Sequence, residues 1–282
     1  LQEYKTPYNV PPFDKIKNEH YKPAIISGIA AHDLEIKNIA NNKEAATFSN
    51  TIEALENAGQ LLGNVTTVFY NVNSANTNDE MQALSRELSP LLSKHSDDIS
   101  LNQSLFARVK EVYGKRDSLG LDKEQAKLLE ETYKDFERSG ANLDAESQAK
   151  LRELNSEISM LQLTFGQNML AETNAYTLWI QDEKDLAGLP ANLIASAAEA
   201  AKGSGKEIGW VFTLHIPSVM PFLQYAENRD LREQIFKAYI NRGNNGNEND
   251  NNEVVRKLLE ARLEKAKLMG FEDYASLVLE TR

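Results

Sequence analysis

Cysteine is absent from this chain. That excludes disulfides, thiolate metal ligands and cysteine nucleophiles together. Histidine is scarce: His20, His32, His95 and His215 are the four present, and none has another three to five residues away. No local zinc-binding pair can therefore be read on one helix face, and the pattern H-E-x-x-H occurs nowhere. Positive charge is in deficit, with 31 Lys and Arg against 42 Asp and Glu and a net charge of −11. A nucleic-acid role needs basic patches on phosphate and is disfavoured by that balance, whose plainest effect is solubility. No run approaches the ~20 consecutive apolar residues of a membrane-spanning helix. Neither nucleic acid nor membrane is expected as a partner. The first residue is Leu1 rather than Met, which leaves room for a removed leader, so cytoplasm and periplasm both stay open.

What the chain does have is apolar content, 41% over 282 residues, enough for one or two packed cores. Residues 1–18 hold three of the eight prolines and no periodicity, and read as an arm. From there the apolar spacing is helical. Pro23 suits a helix first turn, followed by Ile25, Ile26, Ile29, Leu34 and Ile39. Asn50 and Thr51 open a longer helix, with Ile52, Leu55, Leu62, Val65, Phe69 and Val72 inward. Asn78 opens the next, in which Pro90 should introduce a kink. Asn102 caps a fourth, and Asp122 with Gln125 forms a capping-box signal for a fifth. The turn Ser139–Asn142 is placed as a domain boundary after this bundle-like series. The longest helix is expected from about Asp144 to Asn174, with Leu151, Leu154, Ile158, Leu161, Phe165 and Met169 in register. At 1.5 Å per residue it reaches roughly 45 Å and serves as a spine.

The period then changes. Tyr176–Gln181 and Trp210–Ile216 alternate and are rich in β-branched and aromatic residues, so both predict strands. The residues between them predict a short helix after a turn, which is too long a connection for a tight hairpin. Asn228 caps a further helix that carries Leu231, Ile235, Ala238 and Tyr239. Gly243, Gly246 and a run of asparagines break it, Asn252 can cap the next, and Gly270 is placed to end that one. A last helix begins near Glu272 with Tyr274, Leu277 and Val278 inward. It meets no stop signal before Arg282, which suggests part of a longer protein.

The candidates for chemistry are weak. His32 and Glu35 lie one turn apart on a helix of mixed charge, which reads as a solvated face, and His215 lies in a predicted strand, where it reads as a satisfied or surface histidine. The loop 241–252 holds seven asparagines with Glu248 and Asp250, oxygen-rich enough to suggest calcium. Aligned on Gly246, however, an EF-hand pattern puts Gly243 where a ligand is needed, so a turn-rich helix connection is preferred. Gly203–Lys206 has the ring of a phosphate loop, but Ala200 occupies a required glycine position and the segment follows a helix. No triad or carboxylate pair can be certified. No residue is assigned a catalytic or metal-binding role, and the substrate-binding residues are unknown.

The order of several segments carries a resemblance. They include PPFDKIKNEHYKPAI (11–25), TFSNTIEALENAG (47–59), SPLLSKHSDDISLNQSLFARVKEVY (89–113), LLEETYKDFERSGANL (128–143) and LNSEISMLQLTFGQNMLAETNAY (154–176). They continue with DLAGLP (185–190), WVFTLHIPSVMPFLQYAENRDLREQIFKAY (210–239), RGNNGNENDNN (242–252) and KLMGFEDYASLVLE (267–280). Together they resemble the N-terminal part of a zinc metallopeptidase of the thimet oligopeptidase and neurolysin family, nearest its bacterial peptidyl-dipeptidase branch. FGQNMLAETNAY, DLAGLP and the asparagine loop favour that branch over oligopeptidase A.

The resemblance implies a mainly α fold: a multi-helical bundle, a spine helix and a small two-stranded β element, forming an incomplete part of a two-lobed zincin-like peptidase. Residues 1–140 would be an N-terminal helical lobe. Residues 141–282 would hold the spine, the β element and the first helices of the catalytic region. The complete protein would bind zinc, hydrolyse short peptides and release C-terminal dipeptides. In the family the zinc motif lies beyond the point corresponding to Arg282, so this portion would form channel wall, associate with the remainder of its own chain and be inactive alone. The alternatives are an oligopeptidase A-like endopeptidase and a non-catalytic helical scaffold. Leu277, Val278 and Leu279 are expected to expose apolar surface, with self-association or a rearranged end as the result.

Overall fold

The structure is a computed structural model that describes residues 5–280. It is mainly helical and divides into two compact units, one built from residues up to 160 together with 260 onward, the other from 161–259.

The first unit begins with α1 (Asn18–Ala40), which starts before Pro23 because His20 Nδ1 accepts the Lys17 N–H at 3.1 Å and closes the first turn. A π-helical turn (Phe48–Glu53) leads into α2 (Ala54–Glu56), then α3 (Gln60–Ala75), α4 (Asp79–Ser100), α5 (Gln103–Gly114) and α6 (Lys123–Arg138). Asn78 and Asn102 cap α4 and α5, and Asp122 with Gln125 forms a reciprocal capping box on α6, each as its side-chain chemistry predicts. α4 runs as one helix through Pro90.

The expected single helix from Asn50 is divided. Thr47 rather than Asn50 is its N-cap, and the chain breaks at Gly59, whose φ is +76°. Glu35 accepts the Gly59 N–H at 2.7 Å, and a Cβ at this position would lie 2.6 Å from the His32 ring. A left-handed residue without a side chain is what this close approach requires, and it ends one helix and starts another.

Two cores fill this unit. One gathers Tyr21, Ile25, Phe69, Met81 and Leu88; the other gathers Ile36, Ile39, Ile52, Leu105, Phe106, Val109, Leu129 and Phe136. α1 contributes its first half to the former and its second half to the latter. Phe106 stacks on Phe136 with centroids 5.7 Å apart. Arg108, only 9% exposed, crosses from α5 to the segment before α2 and donates to Asn42 O, Glu44 O, Asn50 Oδ1 and Thr51 Oγ1 at 2.8–3.2 Å.

The predicted spine is α7 (Ala145–Ala175), which contributes residues to both units. Leu151, Leu154 and Ile158 are buried, whereas the rest of the stripe is only partly covered and Phe165 is exposed. Near its start Asn155 donates to buried Asp97 and accepts from Lys265 Nζ, both at 2.7 Å. Burial drives both ionisable partners toward neutrality, raising the Asp97 carboxyl against the pull of Asn155, Arg152 and Lys265, and lowering the Lys265 amine.

Lys265 lies on α11 (Asn252–Leu268), which ends where sequence places the stop: Gly270 has φ +85° and the Phe271 N–H reaches back to Ala266 O at 2.9 Å. α12 (Tyr274–Leu279) follows, capped by Asp273. Its apolar face is not laid open as expected. Leu277 is buried, its carbonyl accepts from Arg138 Nη2, and Arg138 Nε lies 3.1 Å from Glu280; of the three residues only Leu279 is exposed.

The second unit holds the β element. β1 (Thr177–Ile180) pairs antiparallel with β2 (Trp210–Thr213), joined through α8 (Ala191–Gly203). The register sets Leu178 opposite Phe212 and Ile180 opposite Trp210. Leu178 and Ile180 therefore face the core while Thr177 and Trp179 face outward. Gly203–Lys206 closes α8, and Lys206 Nζ sits 4.5 Å from the centre of the Trp179 ring, a structural use of that lysine. β2 stops before His215, because Ile216 and Pro217 open α9 (Ile216–Tyr225). α10 (Arg229–Ile240) follows, capped by Asn228 as predicted. The core here is Leu178, Ile180, Ala197, Phe212, Val219, Phe222 and Ile235.

Candidate functional site

The second half of α7 carries the polar side chains Asn168, Glu172, Thr173 and Asn174, and in the second unit each meets a partner from outside the helix. The partners come from the asparagine-rich loop between α10 and α11 and from the start of α9. Two of the segments that carry the sequence resemblance, 154–176 and 242–252, are thereby brought together, along with His215.

The loop's path follows from its composition. Gly243 and Gly246 adopt φ of +73° and +64°, left-handed positions that admit the reversal. A Cβ on Gly243 would lie 2.8 Å from the Asn251 side chain. Asn251, 3% exposed, is the loop's buried centre: its N–H donates to Gly243 O, its Nδ2 to Phe165 O at 3.2 Å, and its Oδ1 accepts from Asn168 at 3.0 Å. The residue before α11 is therefore Asn251, whose carbonyl accepts the Val255 N–H at 2.8 Å. Asn252, expected as the cap, is the first helical residue and binds Asn244.

Glu172 is the charged member of the site and is 8% exposed. Its two carboxylate oxygens accept from the side-chain amides of Asn245 and Asn247. Next to it Thr173 Oγ1 accepts from Arg242 Nη1 at 2.8 Å. One residue on, Asn174 Oδ1 lies 3.1 Å from His215 Nε2, whose other nitrogen lies 3.0 Å from Thr213 Oγ1. Asp250 holds the loop's far side by accepting the N–H of Asn252 and of Gly246, which keep its carboxyl below the usual range.

These bonds decide between the two sequence readings of the loop. Asn245 and Asn247 present donors to a carboxylate, while Asn244, Asn247, Asp250 and Asn251 spend acceptors on N–H groups within the fold. That is the turn-rich helix connection. Among the described residues no group of three His, Asp or Glu side chains is placed to hold a metal ion.

A depression of about 510 Å³ is lined by Glu172, Ala175, Tyr176, Asn247, Glu248 and Asn249. Burial pushes the Tyr176 hydroxyl up, with Gln234 opposing. A second depression of about 610 Å³ runs by Leu193, Val211, Thr213, His215 and Tyr225. Chemically the site offers acceptors and amides on a loop fixed by one buried carboxylate. Glu172→Gln is expected to turn an amide N–H₂ toward another and to cost about 1–3 kcal/mol. Urea unfolding and amide exchange over residues 243–251 would read it; unchanged values in both would remove Glu172 as the loop's anchor.

Of the remaining sequence candidates, His20 is an exposed capping residue. His32 does not sit on a solvated face, because it meets His95 from α4. Spacing rules could not show that pair, separated by 63 residues, nor that Glu172 anchors the loop. The one sequence signal for the latter is that the two segments involved both carry the resemblance.

Comparison with known proteins agrees with it. Residues 222–282 match the family model described as Peptidase family M3. The chain is 40% identical over 276 residues to a dipeptidyl carboxypeptidase of Salmonella typhimurium, covering 98% of this chain and 41% of that protein. It is 40% identical to a dipeptidyl carboxypeptidase of Escherichia coli, over 98% of this chain and 40% of that protein. An oligopeptidase A of Salmonella typhimurium is 31% identical over 98% of this chain and 41% of its own length. The chain thus spans about two fifths of the length of the curated relatives it matches.

Proposed function

This chain belongs to the thimet oligopeptidase family, the M3 peptidases, and from that kinship we propose that it is a section of a zinc-dependent peptidase that hydrolyses short peptides and releases C-terminal dipeptides. The observation that carries the reading is the 40% identity over nearly the whole chain to dipeptidyl carboxypeptidases, against 31% to an oligopeptidase A. In support, FGQNMLAETNAY and the asparagine loop, two of the segments by which the sequence resembles the peptidyl-dipeptidase branch, are hydrogen-bonded to each other around Glu172 and Asn251.

In the whole enzyme zinc would polarise the scissile carbonyl and activate water. The residues present here do not fit that ion: H-E-x-x-H is missing and no three candidate ligands converge among the described residues. This section is instead assigned to the channel wall. Its expected partner is the remainder of its own chain. The exposed Phe236 and Ile240 on α10, and Val255 and Leu259 on α11, are available to that partner. No helix among the described residues is long and apolar enough to cross a membrane.

The test is a peptidase assay on the product of the whole gene, using N-blocked peptides of about five to ten residues. Stepwise release of C-terminal dipeptides, abolished by a chelator and restored by zinc, is the expected result. Internal cleavage would favour the oligopeptidase A-like reading, and no hydrolysis the helical scaffold. The 282-residue chain alone is expected to show neither turnover nor stoichiometric zinc.

A further inference from the structure

In the first unit α1 and α4 are joined by a chain of three titratable side chains that peptide hydrolysis does not use. His95, 6% exposed, projects from α4. Its Nδ1 lies 2.9 Å from Asp33 Oδ1 on α1 and makes no other contact, an ion-pair approach rather than a well-aligned hydrogen bond. Its Nε2 lies 3.0 Å from His32 Nδ1, also on α1, with the two rings edge to face at 4.9 Å. Behind His32 stands the turn at Gly59, close enough that a Cβ there would touch the ring. Glu35 fixes that turn through the Gly59 N–H. The His32 ring therefore packs directly on that turn.

We propose that Asp33, His95 and His32 form an acid-sensitive clasp between α1 and α4, which accepts one added proton and opens on a second. The proton count follows from the geometry. Two nitrogens 3.0 Å apart hold one proton between them. With both rings neutral, His95 turns one N–H to Asp33 and its other nitrogen accepts from His32. With one proton added to the pair, the facing nitrogens still share a single proton and an N–H still meets the Asp33 carboxylate, so the clasp persists and the ion pair strengthens. A second proton puts N–H against N–H and cation against cation, and the rings must separate.

The surroundings set the direction. Burial, then the charge of His95, lower the His32 pKa from 6.5, outweighing Glu35 and Asp33, which raise it. These are the charged groups acting on His32, and they come from both packed helices; Gly59 stands behind the ring. A histidine whose folded pKa lies below its unfolded value binds fewer protons when folded. Its stabilising contribution is complete above pH 6.5 and is lost as the pH falls through the lowered value. Loss of the clasp frees the turn at Gly59, and with it the start of α3.

The experiment is nitrogen-15 imidazole spectroscopy of the protein from about pH 8 to 5, read beside amide exchange at residues 32–36, 57–60 and 92–96. With four histidines in the chain, assignment is direct. The His32 and His95 signals are expected to titrate in two separated, mutually dependent steps. The second step should bring a rise of about tenfold or more in exchange at those segments. His32→Gln, which takes no proton, is expected to keep its protection at pH 5. Independent titration of both rings near the ordinary value would overturn the clasp, as would protection unaltered down to pH 5. So would a His32→Gln variant that loses protection with acid as the parent does; should that variant not fold, the titration of the parent decides alone.

Discussion

Replacing Arg108 with alanine is expected to lower the unfolding free energy of the first unit by about 3–5 kcal/mol, because several buried acceptors lose one charged donor at once. The guanidinium is nearly inaccessible, and of its four contacts Asn42 and Glu44 lie on the irregular segment after α1 while Asn50 and Thr51 lie in the π-helical turn that follows. Truncation leaves the Asn42 and Glu44 carbonyls without that donor, and each buried acceptor so stranded costs about 1–3 kcal/mol. Lysine does not rescue, because a single ammonium cannot reproduce a planar fork aimed at four acceptors. Urea unfolding of the alanine and lysine variants gives the measurement. A loss below about 1 kcal/mol in alanine would mean water replaces the guanidinium and that the segment holds itself.

Phe222→Ala is expected to destabilise the second unit by about 3–5 kcal/mol. Phe222 is fully buried and its ring lies 4.7 Å from that of Phe212 on β2, so truncation opens a void beneath the sheet as well as removing apolar area. α9, with a proline at each of positions 217 and 221, is a short helix held mainly by this packing. Phe222→Leu keeps most of the volume and should recover more than half of the loss. Near-UV circular dichroism and urea unfolding would follow both variants. Equal destabilisation by leucine and alanine would show that ring geometry, rather than filled volume, sets the cost.

What was legible in the sequence is what is decided locally. Asn78, Asn102, Asp122 and Asn228 could be read as caps because each satisfies a backbone N–H two or three residues away, whatever the rest of the chain does. The antiparallel strand pair was legible from alternation, since the buried Leu178 and Ile180 leave a period of two. What was not legible is decided at a distance. The break at Gly59 answers to His32 and Glu35 on α1, and a glycine within an apolar helical pattern does not announce that. His215 reads as strand because β-branched and aromatic neighbours surround it, whereas Ile216 and Pro217 turn the chain into α9 just after. The candidate site was half visible: its two segments stood out in the resemblance, but nothing in either predicted that Glu172 would meet Asn245 and Asn247 some seventy residues on. The histidine clasp left no trace in the sequence at all.

The first unit is discontinuous: residues 161–259 intervene before 260 onward completes it. This imposes an order on synthesis. A chain emerging from the ribosome has the whole of the second unit available for folding before Lys265 can reach Asn155 or the Leu277 carbonyl can reach Arg138. Until then Asp97 lacks the pull of the Lys265 ammonium on its carboxyl, and only Asn155 and Arg152 oppose the effect of burial and of the neighbouring Asp98 charge. The inserted stretch is therefore set to fold as a contiguous piece while the earlier helices wait, and the residues from 260 onward act as the closing seam of a unit that began with the first helix. A pause or a cut within residues 161–259 would accordingly leave the earlier unit unsealed, however sound its own two cores.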